Sequence, residues 1–309
     1  MPRPDLGQAE RPPSGAAPPR AAEGADGRVL GRLGSLSVSL AGTADEVARA
    51  QRLRFEVFHR ERTAGDPTDG SDRDAFDAAC DHLLVRDHAA AEPRGGGPPV
   101  VGTARLLRGE VAGRHHGFYS AGEYDLAPLL ARHPGARLLE LGRACVLRPY
   151  RDRRTVELLW HGIWAYVLRH RIDALFGCAS LEGTDPDRLA LPLSFLHHHA
   201  PAPEAWRVRA LGRHRVPMDL LPREALDRRA ALRALPPLVK GYLRLGAGFG
   251  DGAVVDHRFG TTDVFVVLPV SAINPRYVSH FGPEAGRHAA VPPVHGPSPA
   301  ARSARSASR

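Results

Sequence analysis

Residues 138–179 read LLELGRACVLRPYRDRRTVELLWHGIWAYVLRHRIDALFGCA, and this stretch decides the fold. Leu138 to Leu147 is apolar enough for a long buried strand. A basic turn follows: Arg148-Pro149-Tyr150-Arg151-Asp152-Arg153-Arg154-Thr155. Val156, Leu159, Trp160, Ile163, Trp164, Val167 and Leu168 then recur at spacings of three and four, which predicts an amphipathic helix over 156–168. Ile172 to Ala179 returns to strand character. Strand, helix, strand in that order predicts a parallel pair joined by a right-handed crossover.

Working outward, His82 to Arg86 and Val100 to Leu107 (VVGTARLL) predict a hairpin across a Gly/Pro turn. Ser35 to Ala41 (SLSVSLA) alternates as a strand. Thr43 stands three residues before Glu46, the spacing of a capping box, and starts a helix running to about His59. Thr63 to Asp77 is acidic and carries Gly and Pro, so it reads as a loop. Val264 to Val270 (VFVVLPV) is a late apolar strand. The fold class is α/β (α+β) with a mixed central sheet. Residues 35–282 form one globular domain. Residues 1–34, rich in Pro, Gly, Ala and Arg, and residues 283–309, ending in ARSARSASR, read as disordered segments.

Composition narrows the function. No run of about 18 apolar residues exists, so no membrane-spanning helix is expected. The N-terminus has no apolar stretch behind its charges, so no secretory signal is expected either and a cytoplasmic location follows. Cys80, Cys145 and Cys178 are odd in number and widely spaced, which argues for buried thiols and against a disulfide framework. The net charge of +8 rests on arginine, since Lys240 is the only lysine. A positive surface favours acidic partners: an acyl carrier protein, an anionic membrane or a nucleic acid. No nucleic-acid module and no stripe of aromatics between the arginines is present, so nucleic acid is not expected. The basic tail reads first as a solvated tail, with peripheral contact with the inner membrane as the alternative.

The order of elements resembles the GNAT acyltransferases. That resemblance implies a GNAT-like acyl-CoA N-acyltransferase fold whose long central strand and following helix flank the donor's pantetheine, with amides at the helix N-terminus binding its phosphate. Here arginines replace the family's glycines in the turn, which favours the single phosphate of a carrier-bound pantetheine. Residues 53–58 (LRFEVF), 74–77 (DAFD), 102–107 (GTARLL) and 140–143 (ELGR) resemble acyl-homoserine-lactone synthases, which use acyl carrier protein and S-adenosylmethionine. The tryptophan those enzymes carry after the first helix has no counterpart here. Residues 140–147 (ELGRACVL), 176–180 (FGCAS), 183–186 (GTDP), 196–199 (LHHH), 240–247 (KGYLRLGA), 251–256 (DGAVVD) and 262–264 (TDV) resemble L-ornithine N-alpha-acyltransferases. This second resemblance spans about residues 36 to 282. It implies transfer of a 3-hydroxyacyl group from acyl carrier protein to the α-amine of L-ornithine, giving a lyso-ornithine lipid. Two alternatives stand beside it: an autoinducer synthase, and a non-enzymatic basic protein that binds membranes.

Aminolysis of a thioester needs a neutral amine, a polarised carbonyl and a proton acceptor. An amino-acid acceptor also needs a guanidinium for its carboxylate and carboxylates for its second amine. Glu140 is the candidate base, with a structural ion pair to Arg105 or Arg54 as its alternative role. Arg54, Asp77, Arg105 and Arg143 are the candidate acceptor-binding residues, with Asp74 beside Asp77. Glu140 and Arg143 are three apart, which puts them on opposite faces of a regular strand unless a bulge intervenes. Arg151, Arg153, Arg154 and Thr155 are the candidate donor-binding residues. No metal and no cofactor is expected; acyl carrier protein brings the donor group. Three adjacent histidines, His197, His198 and His199, cannot point one way on a helix. His82 and Asp87 match an HxxxxD spacing, but within a strand they face opposite ways. Asp251 and Asp256 bracket a strand-like piece without an evident mechanism.

Overall fold

The computed structural model describes residues 28–61, 70–91, 97–212 and 214–273. Among these residues, eleven strands build one mixed sheet. The strands are β1 (Val29–Leu33), β2 (Leu36–Leu40), β3 (Asp81–Asp87), β4 (Val100–Arg108), β5 (Tyr124–Asp125), β6 (Leu138–Val146), β7 (Ala174–Glu182), β8 (Arg209–Ala210), β9 (Arg215–Val216), β10 (Gly248–Asp256) and β11 (Thr261–Pro269). Their order is β1-β2-β3-β4-β6-β7-β11-β10-β8-β5, with β9 on β10. The main helices are α1 (Ala44–Phe55), α2 (Gly109–Ala112), α3 (Ala127–Arg132), α4 (Arg153–Arg169), α5 (Ala190–His199), α6 (Arg228–Ala234) and α7 (Pro237–Leu245).

The crossover β6-α4-β7 is parallel as its sequence predicts, and its helix starts three residues earlier, at Arg153 behind the N-cap Asp152. Thr43 closes the expected capping box with Glu46, and α1 ends in a π-helical turn over Glu56–Arg60. The β3–β4 hairpin and the late strand β11 also form where expected. Alternate strand residues sort into two cores. Leu139, Leu141, Leu175 and Ala179 pack with α4, α5 and α7 on one face. Leu138, Phe176 and Phe265 pack on the other with the 118–129 segment, and Cys145 packs there with α1.

One boundary needs correction. Residues 28–34 do not belong with a disordered segment: Val29–Leu33 is a strand paired antiparallel with β2 across a turn at Gly34, whose φ is +61°. The five residues VLGRL are too short and too interrupted to show an alternation of their own. Tertiary contact fixes them, including His161 Nε2 donating to the Leu30 carbonyl at 3.1 Å. The remaining terminal residues, 1–27 and 274–309, lie outside the described residues, as does the basic tail.

Between β6 and β7 the ladder stops early. Pairing runs from Leu138↔Ala174 to Glu140↔Phe176 and no further. Beyond it the two strands diverge and leave a gap in the sheet. The gap begins beside Gly177, where a β-carbon would stand 2.2 Å from the Leu141 carbonyl oxygen.

Candidate active site

A cavity of about 1050 Å3 opens through this gap and is lined from both faces of the sheet. On the α4 face it is apolar, walled by Leu159, Trp160, Ile163 and Trp164 of α4, Leu238, Tyr242 and Leu245 of α7, and Leu268 of β11. On the other face it is charged and polar, with Arg105, Glu140, Arg143, Tyr119, Ser120, Cys178, Ser180, Asp256 and Asp263. A chamber this size, apolar at one end with a few converging polar groups at the other, suits a substrate that is hydrocarbon at one end and charged at the other.

The predicted bulge is present. The β4–β6 register slips between Thr103↔Cys145 and Arg105↔Gly142, and Arg143 sits at φ +50° within the slip. An extra residue inverts the alternation beyond it. Glu140 and Arg143 therefore reach the same face despite their odd separation. The left-handed backbone at a non-glycine residue is costly and is held by what surrounds Arg143. Its guanidinium lies between the rings of Tyr119 and Phe259, 5.1 and 5.0 Å from their centroids, and faces Asp72 at 3.2 Å and Asp74 at 3.5 Å.

Arg54 and Asp77 are brought to the site but stand behind its wall. Arg54 is 1% exposed. Its Nη1 and Nη2 donate to Asp77 at 2.8 and 2.9 Å, and its Nε lies 2.9 Å from Asp72. Asp77 also receives Arg105 at 3.1 Å and the Gln51 amide at 3.1 Å. Burial alone would raise the Asp77 carboxyl, but hydrogen bonding and charge from Arg54, with the charge of Arg105, hold it well below the usual carboxylate range. Neither residue lines the cavity. Arg54 spends both terminal nitrogens on this buried pair, which leaves little of it to offer a ligand. Arg105 does line the cavity, with Asp74 at 2.6 Å behind it.

Glu140 lines the cavity too, and it pairs with neither Arg105 nor Arg54. Its two oxygens accept from the Tyr119 N–H at 2.7 Å, the Ser120 N–H at 2.7 Å and the Ser120 hydroxyl at 2.5 Å. Burial raises its carboxyl, against the hydrogen bonds from Ser120 and Tyr119 that lower it. The carboxylate thereby fixes the 119–120 turn, which presents the Tyr119 ring to Arg143.

Opposite stands an acidic cluster of which sequence reading singled out Asp256 without a mechanism and missed Glu123 and Asp263. One carboxylate oxygen each of Glu123, Asp256 and Asp263 lies within 4.8 Å of the others, close enough to share one cation. Burial and the charge of Asp263 push the Glu123 carboxyl up to about 7, and burial likewise raises Asp263. Asp263 was findable: an acid inside the apolar strand TTDVFVVLP signals function or a buried partner, the same logic that singles out Arg105. Glu123 and Tyr119 sit in an irregular segment and carry no such signal.

At the basic turn the four donor-binding candidates separate. Arg151 and Arg153 line the cavity mouth, with Arg148 and Arg244 beside them. Arg151 is partly committed, donating to the Val146 carbonyl at 2.9 Å and to Glu61 at 2.5 Å. Arg153 is exposed. Arg154 and Thr155 do not reach the cavity. Arg154 turns toward Gly34 of the β1–β2 hairpin. Thr155 is fully buried, and its N–H already donates to Asp152 at 2.8 Å. A helix N-terminus capped by a carboxylate has one amide fewer for a phosphate.

The histidine patterns are structural. His198 Nε2 donates to the Leu221 carbonyl at 3.1 Å, with His197 edge-on beside it. His82 is buried and hydrogen-bonds the Asp77 carbonyl, while Asp87 accepts from Tyr150. Cys80, Cys145 and Cys178 are free thiols. Burial raises Cys80 and Cys145 to about 12 and Cys178 well above its ordinary value, which keeps all three protonated and inert as nucleophiles.

Residues 53–161 match the acetyltransferase (GNAT) domain family. An L-ornithine N(alpha)-acyltransferase of Brucella abortus (strain 2308) is 53% identical over 270 residues, 86% of this chain and 95% of its own. The enzyme of the same name from Agrobacterium fabrum is 53% identical over 84% of this chain and 89% of its own, and that from Rhodobacter capsulatus 45% identical over 79% and 93%. Among solved structures, an N-acyl amino acid synthase from uncultured soil microbes aligns over 78% of this chain and 92% of its own at 12% identity, with a TM-score of 0.38.

Proposed function

The chain belongs to the L-ornithine N(alpha)-acyltransferase family, and from that premise we propose that it moves a 3-hydroxyacyl group from acyl carrier protein to the α-amine of L-ornithine, giving a lyso-ornithine lipid. One observation carries the reading. A single cavity crosses the sheet where β6 and β7 part, apolar on one face and charged on the other. A reaction that joins a hydrocarbon to a small charged molecule needs both halves to meet in one gap.

In this reading the acyl chain lies under α7 and against Trp160 and Trp164, and the thioester sits in the gap. The amino acid enters from the charged face. Arg143, fixed between two aromatic rings, takes its carboxylate, with Arg105 alongside. Asp256 and Asp263, which line the cavity with Glu123 behind them, take its ammonium groups. The α-ammonium must lose a proton before it attacks, and Asp263 lines the cavity where that proton would go. The neutral nitrogen then adds to the thioester carbonyl, the C–N bond forms, the C–S bond breaks, and the thiol leaves with a proton. Glu140 was the sequence candidate for base. Its oxygens accept from three donors of one turn, so we assign it to holding the 119–120 turn against Arg143. Arg148, Arg151 and Arg153 at the mouth match the acidic surface of an acyl carrier protein and the phosphate of its arm. Among the described residues no helix is long and apolar enough to cross a membrane. A cytoplasmic enzyme touching the inner membrane to release its lipid product fits this proposal.

The test is direct. Purified protein is given acyl carrier protein loaded with a 3-hydroxyacyl group and, separately, ornithine, lysine, glutamine or S-adenosylmethionine, and products are identified by mass spectrometry. Acyl-ornithine is the expected product. Acylation of another amino acid in preference, or release of a lactone, would overturn the assignment.

A further inference from the structure

We propose that Gly241 sets the length of acyl chain that the enzyme accepts, by leaving a pit in the roof of the apolar chamber. The inference rests on the acyltransferase reading above. Helix α7 places Leu238, Gly241, Tyr242 and Leu245 at spacings of three and four, and all four line the cavity. An apolar stripe with this period should carry a side chain at position 241. It carries none.

Nothing in the fold demands glycine there. Gly241 is the fifth residue of a nine-residue helix, its backbone is not left-handed, and a β-carbon built on it meets no atom within 4 Å. The contrast with Gly177, where a β-carbon would run into the Leu141 carbonyl, is plain. Glycine is the poorest helix former after proline, so its presence mid-helix is locally unfavourable. What it supplies is empty space facing the chamber. Beside it, Tyr242 is buried and stands edge-on to Trp160 at 5.4 Å, a rigid wall that defines the pit's edge. A hydrocarbon chain running under α7 fills this space, and each methylene it buries adds to donor binding.

The experiment compares wild type with Gly241→Ala and Gly241→Leu on carrier protein loaded with short, medium or long acyl chains. A leucine in the pit displaces several methylenes of a long chain. The ratio of kcat/KM for long over short donors should therefore fall about tenfold or more in Gly241→Leu, and less in Gly241→Ala. Gly241→Ala should also melt higher than wild type, because alanine is the better helix former. An unchanged long-to-short ratio in a folded Gly241→Leu protein overturns the proposal. If that variant does not fold, Gly241→Ala decides by the same ratio. Binding of short- and long-chain fatty acids, read by quenching of Trp160 and Trp164 emission, gives a second measure that needs no acceptor. Should wild type acylate no amine at all, the functional reading fails, and this binding series still decides whether position 241 gates chain length.

Discussion

Six charged side chains behind the acceptor half of the cavity, Asp72, Asp74, Asp77, Arg54, Arg105 and Arg143, neutralise one another in a nearly dry space. Removing one member leaves its partners buried and short of counter-charge. For Asp77→Asn this predicts a loss of about 3 kcal/mol, near the lower end for a broken buried pair, since Asp72 and Asp74 still partner Arg54 and Arg105. Chemical denaturation checks it. The pH dependence has a definite sign. Asp77 is depressed in the fold, so its stabilisation is complete above its ordinary value of 3.8 and drains away as pH falls below it. The Asn variant should lack that acid-sensitive part. Glu123 behaves oppositely. Its carboxyl rises from 4.5 to about 7 on folding. Below pH 4.5 it is neutral folded or unfolded and contributes nothing. Between 4.5 and 7 the unfolded chain ionises first, so stability falls, and above 7 the full penalty applies, on the order of 3 kcal/mol. Glu123→Gln should therefore raise the melting temperature above pH 7 and leave it unmoved below 4.5. A gain of equal size at both would show that Glu123 does not carry the proton.

Elements differ in how openly their sequence declares them. Helix α4 is legible because two tryptophans and five aliphatic residues hold a 3.6 period through three turns. β6, β7 and β11 are legible because both their faces are buried. β1 and β10 are not. VLGRL is short, and GFGDGAVVD carries three glycines that disfavour a strand. Each is recruited by its neighbour, since β2 and β11 would otherwise expose unpaired edges. The charged half of the site was legible as residues and partly illegible as roles. Alternation along β6 shows which way Glu140 points, but the bulge that turns Arg143 onto the same face depends on φ at one residue. Arg54 and Asp77 read as ligands because sequence shows their charge and not their depth. The gap between β6 and β7 gives a prediction at this scale. Gly177 passes so close to Leu141 that alanine there must push the strands apart. Gly177→Ala should shift the start of the gap and destabilise the sheet by about 1–3 kcal/mol, the usual cost of overpacking. Turnover should fall further than the folded fraction does. Proportional losses of activity and folded protein would mean the gap tolerates the change.

At the scale of the whole molecule, a net charge of +8 sets up long-range attraction for an acidic carrier, but only exposed charge at the mouth can convert that attraction into docking. Arg151 is a poor probe, because Glu61 and the Val146 carbonyl already hold it and its loss would disturb the turn. Arg154 points away to the β1–β2 hairpin. Arg148 and Arg153 are exposed at the rim, so reversing both changes charge with least effect on packing. Arg148→Glu with Arg153→Glu should raise KM for a carrier-protein donor about tenfold at low ionic strength, leaving the melting temperature within about a degree or two of wild type. Added salt should shrink the difference, since at about 1 M the Debye length is only ~3 Å. The same variant given a soluble acyl-pantetheine thioester, which lacks the carrier's acidic surface, should lose far less. That split separates docking of the carrier from grip on its phosphate arm. Equal losses with both donors would move the role of these arginines from the partner's surface to the small thioester itself. A loss indifferent to salt would place the carrier on another face of the protein.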